Sequence, residues 1–237
     1  MARTPFIGIT TYHRNEEGIV RLPGEYADSV RRAGGIPLLL QPGEPRMDEV
    51  IGLIDGLILS GGGDVDPARY SEATHEQIYS VNQERDDFEF DLLDRVLGTQ
   101  LPTLCICRGL QVLNVALSGT LIPHIPDAIP DCLAHRQPPD KPYGPIIHPV
   151  QVEDSSRLAA IMQSGTVKPA SWHHQAIDKL ASDLTVISQA SDGIIEAVEM
   201  PAHSQLIAVQ WHPEITAAED ETQQRIFNEL VRMAGKE

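Results

Sequence analysis

Apolar residues in this chain come in short runs, separated by stretches whose apolar positions recur at helical spacing. FIGITTY (6–12), IPLLLQP (36–42), GLIL at the head of GLILSGGGD (56–64) and LPTLCI (101–106) read as buried strands. Between them, GEYADSVRRAGG (24–35), MDEVIGLID (47–55), ERDDFEFDLLDRVLG (84–98) and RGLQVLNVALSG (108–119) read as helices, the first closed by Gly34 and Gly35. Strand and helix in strict alternation predict an α/β fold, a three-layer α/β/α sandwich with a mostly parallel central sheet.

The second half has a different pattern. Residues 120–147 are rich in Pro, His and Asp and read as loop. Strands are expected near 148–153, 184–190, 194–200 and 206–211. The last three follow one another closely, which suggests antiparallel additions to the sheet. EDETQQRIFNELVRMAG (219–235) reads as a final amphipathic helix with Gly235 near its end. No internal repeat or low-complexity linker divides the sequence, so a single domain over 1–237 is expected.

Composition narrows the function classes. A formal net charge of −16 disfavours binding to nucleic acid or to anionic membranes. No apolar run approaches the roughly 20 residues of a membrane span, and the opening MARTPFIGITTY lacks the form of a secretory signal. Cys105, Cys107 and Cys132 make no disulfide framework, so a cytoplasmic location is expected.

Ligands of such sheets bind at the carboxyl ends of the strands. Three motifs fall there. In LCICRGLQ (104–111), Cys107 sits where a buried strand turns sharply into a helix, like a hydrolase nucleophile elbow. A helix N-terminus lowers a thiol pKa and offers N–H groups to a developing anion. Cys105, inside the strand, reads as a packed core thiol. In VQWHPEI (209–215), His212 and Glu214 lie two apart at a strand end, where a carboxylate can fix the tautomer of an imidazole base. Alone, that tripeptide could equally be a surface turn. In LSGGGDVDP (59–67), three glycines allow close backbone approach to a ligand. The lysine and spacing of a phosphate-binding loop are missing, so an oxyanion hole with a second N–H from Arg108 fits better.

The adjacent histidines of SWHHQAI (171–177) invite a metal reading, with His135, His148 and His203 as further donors. None of them has the spacing of common zinc sites, so a pocket lining is expected, with no metal and no cofactor.

Together these residues resemble class I glutamine amidotransferases: CxGxQ after a strand, SGG after an earlier one, and a late HPE. SGGGDVDP, ERDDFE, CRGLQVLNVALSGTL and SWHHQAI are similar to the gamma-glutamyl-gamma-aminobutyrate hydrolases of putrescine breakdown, and the resemblance runs over nearly the whole chain. The resemblance implies a flavodoxin-like α/β/α fold and a small-molecule gamma-glutamyl substrate. It implies Cys107 as nucleophile, His212 as base, Glu214 as its orienting partner, and Gly62 and Arg108 as oxyanion donors. Gln111, His173 and His174 would line the substrate pocket. Two positions depart from the family pattern. Cys105 stands where a small residue is usual, and Ala170 stands where an Asn is expected before Ser171.

The chemistry implied is hydrolysis of a gamma-glutamyl amide through a thioester. A glutaminase subunit serving a separate synthase would use the same residues. A non-catalytic binding protein on the same fold is the reading from another class. A homo-oligomer is compatible with all three.

Overall fold

The structure is a computed structural model that describes residues 3–137 and 144–235. Residues 138–143 of the segment read as loop lie outside the described residues. In chain order the strands are β1 (Phe6–Thr10), β2 (Ile36–Leu40), β3 (Gly56–Leu59), β4 (Thr103–Ile106), β5 (Leu121–Ile122), β6 (Ile146–Ile147) and β7 (Val150–Val152). They continue with β8 (Thr166–Val167), β9 (Ala170–Ser171), β10 (Ala176–Ile177), β11 (Thr185–Gln189), β12 (Ile195–Glu199) and β13 (Leu206–Val209). The helices are α1 (Gly24–Arg32), α2 (Met47–Leu53), α3 (Gln83–Leu97), α4 (Arg108–Ala116), α5 (Ile125–Ala128), α6 (Arg157–Met162), α7 (Pro213–Thr216) and α8 (Glu221–Ala234).

Among the described residues one sheet has nine strands, in the order β2-β1-β3-β4-β13-β12-β11-β7-β8. From β2 to β13 every pairing is parallel. From β13 to β8 every pairing is antiparallel. The flavodoxin-like α/β/α class therefore holds, with one refinement. Of the three closely spaced late strands, β11 and β12 are antiparallel additions, whereas β13 joins the parallel set beside β4. Its residues Leu206–Val209 are all buried, as expected of a central strand covered on both faces.

Alternation along the strands builds two cores. Ile58, Leu104 and Ile106 face Tyr26 and Val30 of α1 and Ile226, Phe227 and Leu230 of α8. Leu57, Leu59 and Cys105 face Leu92, Leu93 and Val96 of α3 and Val112 and Leu113 of α4. Each large apolar side chain taken out of water contributes roughly 1.5–3 kcal/mol.

Two expectations are corrected. IPLLLQP reads as a buried strand, yet β2 is the terminal strand of the sheet, and Ile36 and Leu39 are exposed. An edge strand has a neighbour on one side only, and its apolar run says nothing about that. The Pro-, His- and Asp-rich segment is not all loop, because it carries β5, α5 and β6. Pro126 is accommodated in the first turn of α5, where a missing N–H costs no helical bond.

The ends of β1, β3, β4 and β13 lie along the same edge of the sheet because these strands are parallel. Tyr12, Gly61–Gly62, Cys107 and His212 follow them in turn. Among the described residues no helix is long and apolar enough to cross a membrane.

Candidate active site

Cys107 is the single residue between β4 and α4. Its backbone takes φ 51° and ψ −104°, a left-handed conformation that a non-glycine residue adopts only at a cost of about 1–3 kcal/mol. Surrounding contacts hold it there. The Cys107 N–H donates to the Val209 carbonyl at 2.8 Å, tying the elbow to β13. Gly109 lets α4 start so abruptly, since a methyl group on it would lie 2.3 Å from the Leu59 carbonyl oxygen. Cys107 caps α4 with no side-chain hydrogen bond, so the first N–H groups of the helix are not consumed by its cap. Cys105 is fully buried in the opposite core, where burial pushes its thiol pKa up.

His212 ends the extended segment after β13, and Pro213 opens α7. His212 Nδ1 lies 2.6 Å from Glu214 Oε1, and both side chains are buried. Burial alone would lower the imidazole pKa. The Glu214 carboxylate, with Cys107 adding to it, outweighs that and holds the value well above the ordinary histidine range. The expected strand alternation is not what brings the pair together. Glu214 sits in the first turn of α7 and reaches back to the residue that caps it.

The glycine turn closes the constellation. A methyl group on Gly61 would lie 2.7 Å from His212 Cε1 and 3.5 Å from Cys107 Cβ. The Gly61 N–H donates to Tyr26 Oη at 3.0 Å, and its carbonyl accepts from Arg85 Nη2 at 2.7 Å. In a trans peptide the next N–H points opposite to that carbonyl, so Arg85 turns the Gly62 N–H away from itself. Gly62 has φ 131°, and a side chain there would collide with Arg85 and Tyr12.

Arg85 belongs to a buried charge network that the sequence pattern did not expose. It donates to Glu89 Oε1 at 3.0 Å from Nε, and its guanidinium stacks 5.2 Å from the Tyr12 ring centroid. Arg108 pairs with both Asp86 and Glu89. Two arginines and two carboxylates thus neutralise one another under the elbow. Helical spacing in ERDDFE predicted only an amphipathic face, although Arg85, Asp86 and Glu89 at intervals of three and four share one side of α3.

A cavity of about 490 Å³ is lined by Tyr12, Gly62, Arg85, Arg136, His212 and Glu214, among others. A second, of about 820 Å³, adjoins it and shares Tyr79, Arg136 and Trp172. His173 and His174 border this second cavity. His174 Nε2 is 3.0 Å from Asp64 Oδ2. Gln111 is buried and donates to the Gln175 carbonyl and to Gln210 Oε1, both at 3.3 Å. The fold therefore gathers Cys107, His212, Glu214, Gly62 and the Arg108 backbone. Gln111 and His173 are engaged with other protein groups. His203 lies before β13, at the other end of that strand from His212.

The chain matches the Peptidase C26 family over residues 5–214. It is 32% identical over 226 residues to the gamma-glutamyl-gamma-aminobutyrate hydrolase of Escherichia coli O157:H7, covering 91% of this chain and 87% of that protein. It is 32% identical over 239 residues to protein NtpR of Enterococcus hirae, covering 96% and 98%. A solved glutamine amidotransferase of Thermotoga maritima superposes with a TM-score of 0.64 at 15% identity, covering 99% of this chain and all of that one, which speaks to the fold alone.

Proposed function

The chain belongs to the peptidase C26 family, and on that premise we propose that it hydrolyses a gamma-glutamyl amide, gamma-glutamyl-GABA or a related gamma-glutamyl amine, to glutamate and free amine. The observation that carries this reading is the packing around Gly61, which brings the nucleophile candidate from one strand end against the base candidate from another.

Cys107 Sγ attacks the gamma carbonyl carbon as a thiolate, its proton held by His212. The C–N bond breaks, and His212 gives that proton to the departing amine. Water then attacks the thioester, His212 takes a proton from it, and the C–S bond breaks to release glutamate. Glu214 keeps the ring in one tautomer and favours its cationic form. The Gly62 and Arg108 N–H groups receive the oxyanion of both tetrahedral states, each worth roughly 3–4 kcal/mol in comparable sites. Arg136, shared by both cavities, offers the cation that a carboxylate-bearing substrate needs on a chain of net charge −16. A role in polyamine breakdown is part of the same proposal and rests on the resemblance to the gamma-glutamyl-gamma-aminobutyrate hydrolases.

Glutamate release by the purified chain alone tests the reading, with gamma-glutamyl-GABA and glutamine compared side by side. Turnover of the gamma-glutamyl amine without any partner is expected. Activity on glutamine only, appearing only when a synthase is added, would replace it with the glutaminase-subunit reading.

A further inference from the structure

Outside this constellation, His135, His148 and Glu196 come from three separate segments: the chain after α5, the turn before β7, and β12. One ligand atom of each lies within 4.8 Å of the others. Glu196 Oε1 is 3.3 Å from His135 Nδ1 and 3.6 Å from His148 Nε2. A third imidazole nitrogen, His173 Nε2, is 3.7 Å from the same oxygen. All four side chains are buried.

The far side of two of the rings, His135 and His173, fixes which nitrogen carries a proton. His135 Nε2 is 2.9 Å from Asp192 Oδ2, and His173 Nδ1 is 2.9 Å from the Gln175 carbonyl. His148 Nδ1 faces the Pro149 carbonyl at 3.5 Å. Carboxylate and carbonyl oxygens only accept, so His135 Nε2 and His173 Nδ1 are the N–H donors; the 3.5 Å contact at His148 sets no tautomer. In neutral rings His135 Nδ1 and His173 Nε2 then present lone pairs, and both, like His148 Nε2, face Glu196. Those nitrogens and both Glu196 oxygens make no hydrogen bond within the protein. Buried acceptors that face a buried carboxylate need a cation between them.

Distance chooses between a proton and a metal. Separations of 3.3–3.7 Å exceed the roughly 2.7–3.2 Å of N–H···O bonds. They approach the edge of a ligand tetrahedron, about 3.3–3.4 Å for metal bonds of about 2.0–2.1 Å. The outer contacts fit as well, because metal-bound histidines ordinarily donate their other N–H to a carboxylate or backbone carbonyl. Imidazoles with one carboxylate favour zinc over the oxygen-seeking calcium and magnesium.

We infer that His135, His148 and Glu196, with His173 completing the set, form a binding site for a divalent transition metal, zinc foremost. The ligands are scattered between positions 135 and 196, so no local spacing announces them. The ion cross-links the segments around 135 and 173 to β12. The Ser171 hydroxyl and the His173 N–H both donate to the His135 carbonyl, at 2.9 and 3.0 Å. Ala170, in the same segment, accepts the His212 N–H at 2.8 Å. Arg136 and Trp172 lie beside two of the ligands and line the cavity under His212. The metal thus braces that wall and takes no part in acyl transfer.

The test uses tag-free protein carrying Cys107→Ala, which removes the reactive thiol as a competing ligand and makes the result independent of the proposed hydrolysis. After dialysis, metal analysis should find about one zinc per chain, as expected of a closed four-ligand site. Chelator-stripped protein should regain it, its Tm should rise with zinc concentration, and added Co²⁺ should give the visible bands of a four-coordinate ion. His148→Ala and Glu196→Gln should lose both the metal and the zinc-dependent Tm shift, while His174→Ala keeps them. If those variants fail to fold, the stripped parent decides, since its Tm and Co²⁺ spectrum need no variant. Trace metal after dialysis with a Tm that zinc does not move would overturn the site. So would full zinc content in Glu196→Gln.

Discussion

Glu214 Oε1 meets His212 Nδ1 at 2.6 Å across the entry to a short helix, with Pro213 fixing the turn between them. The contact is buried and charge-assisted, so its loss should be felt in rate. Glu214→Gln is expected to fold and to lose on the order of 10- to 1000-fold in kcat, less than the roughly 10⁴ of a serine triad because a thiol depends less on its base. His212→Ala should cost more, and a change at His203 much less, since His203 lies toward the opposite edge of the sheet. Steady-state rates of the three variants on one gamma-glutamyl amide check the order. An equal loss at His203 would mean the base is misassigned.

Cys107→Ala should abolish hydrolysis while the fold survives, and Cys105→Ala should keep most activity. Cys105 packs in the core between α3, α4 and the sheet, with its proton held by burial. Iodoacetamide followed by peptide mass spectrometry should find the label first on Cys107. Alkylation confined to Cys132, the least buried of the three thiols, would count against the elbow.

The raised pKa of His212 gives stability a pH dependence of known sign. The folded state holds this proton more tightly than the unfolded chain, whose histidine titrates near pH ~6.5. That contribution is complete below the unfolded value and is lost as pH rises through the folded one. Thermal midpoints should therefore fall on going alkaline from near neutral, and Glu214→Gln should flatten that fall by removing the main opposing charge. Identical slopes in both proteins would show that Glu214 does not set this pKa.

Two glycines should fail in different ways. Gly109→Ala drives a methyl group at a backbone oxygen of β3 that cannot move aside, and overpacking of this kind costs roughly 1–3 kcal/mol or more. Gly61→Ala meets the His212 ring instead, so it should displace the base and cut kcat/KM by about tenfold or more. Denaturation midpoints and rates measured on both variants separate the two effects. Unchanged kinetics in Gly61→Ala would remove it from the constellation.

Arg85→Met should release the Gly61 carbonyl and let the neighbouring peptide rotate. Losing one oxyanion donor lowers kcat by about 10²–10³ in comparable enzymes. Arg85→Lys should restore part of it, because a cation remains beside the carbonyl and Glu89. Rates corrected for the folded fraction by circular dichroism distinguish this from simple destabilisation.

The sequence by itself determined the local and periodic features. Strand and helix alternation, the elbow at Cys107 and the glycine turn all depend on neighbours within a few residues, whose spacing directly sets backbone geometry. It also placed these motifs after strands, which was enough to expect them on one edge of a parallel sheet. Tertiary structure decided everything that depends on which segments become neighbours. Strand order made β2 an edge and β13 a central strand, although both read as equally apolar runs. The pairing of Arg108 with Asp86 and Glu89 needs α3 and α4 to lie side by side. The convergence of His135, His148 and His173 on Glu196 needs four distant segments at one point. Periodicity reports the face a side chain presents, and only packing reports what that face meets.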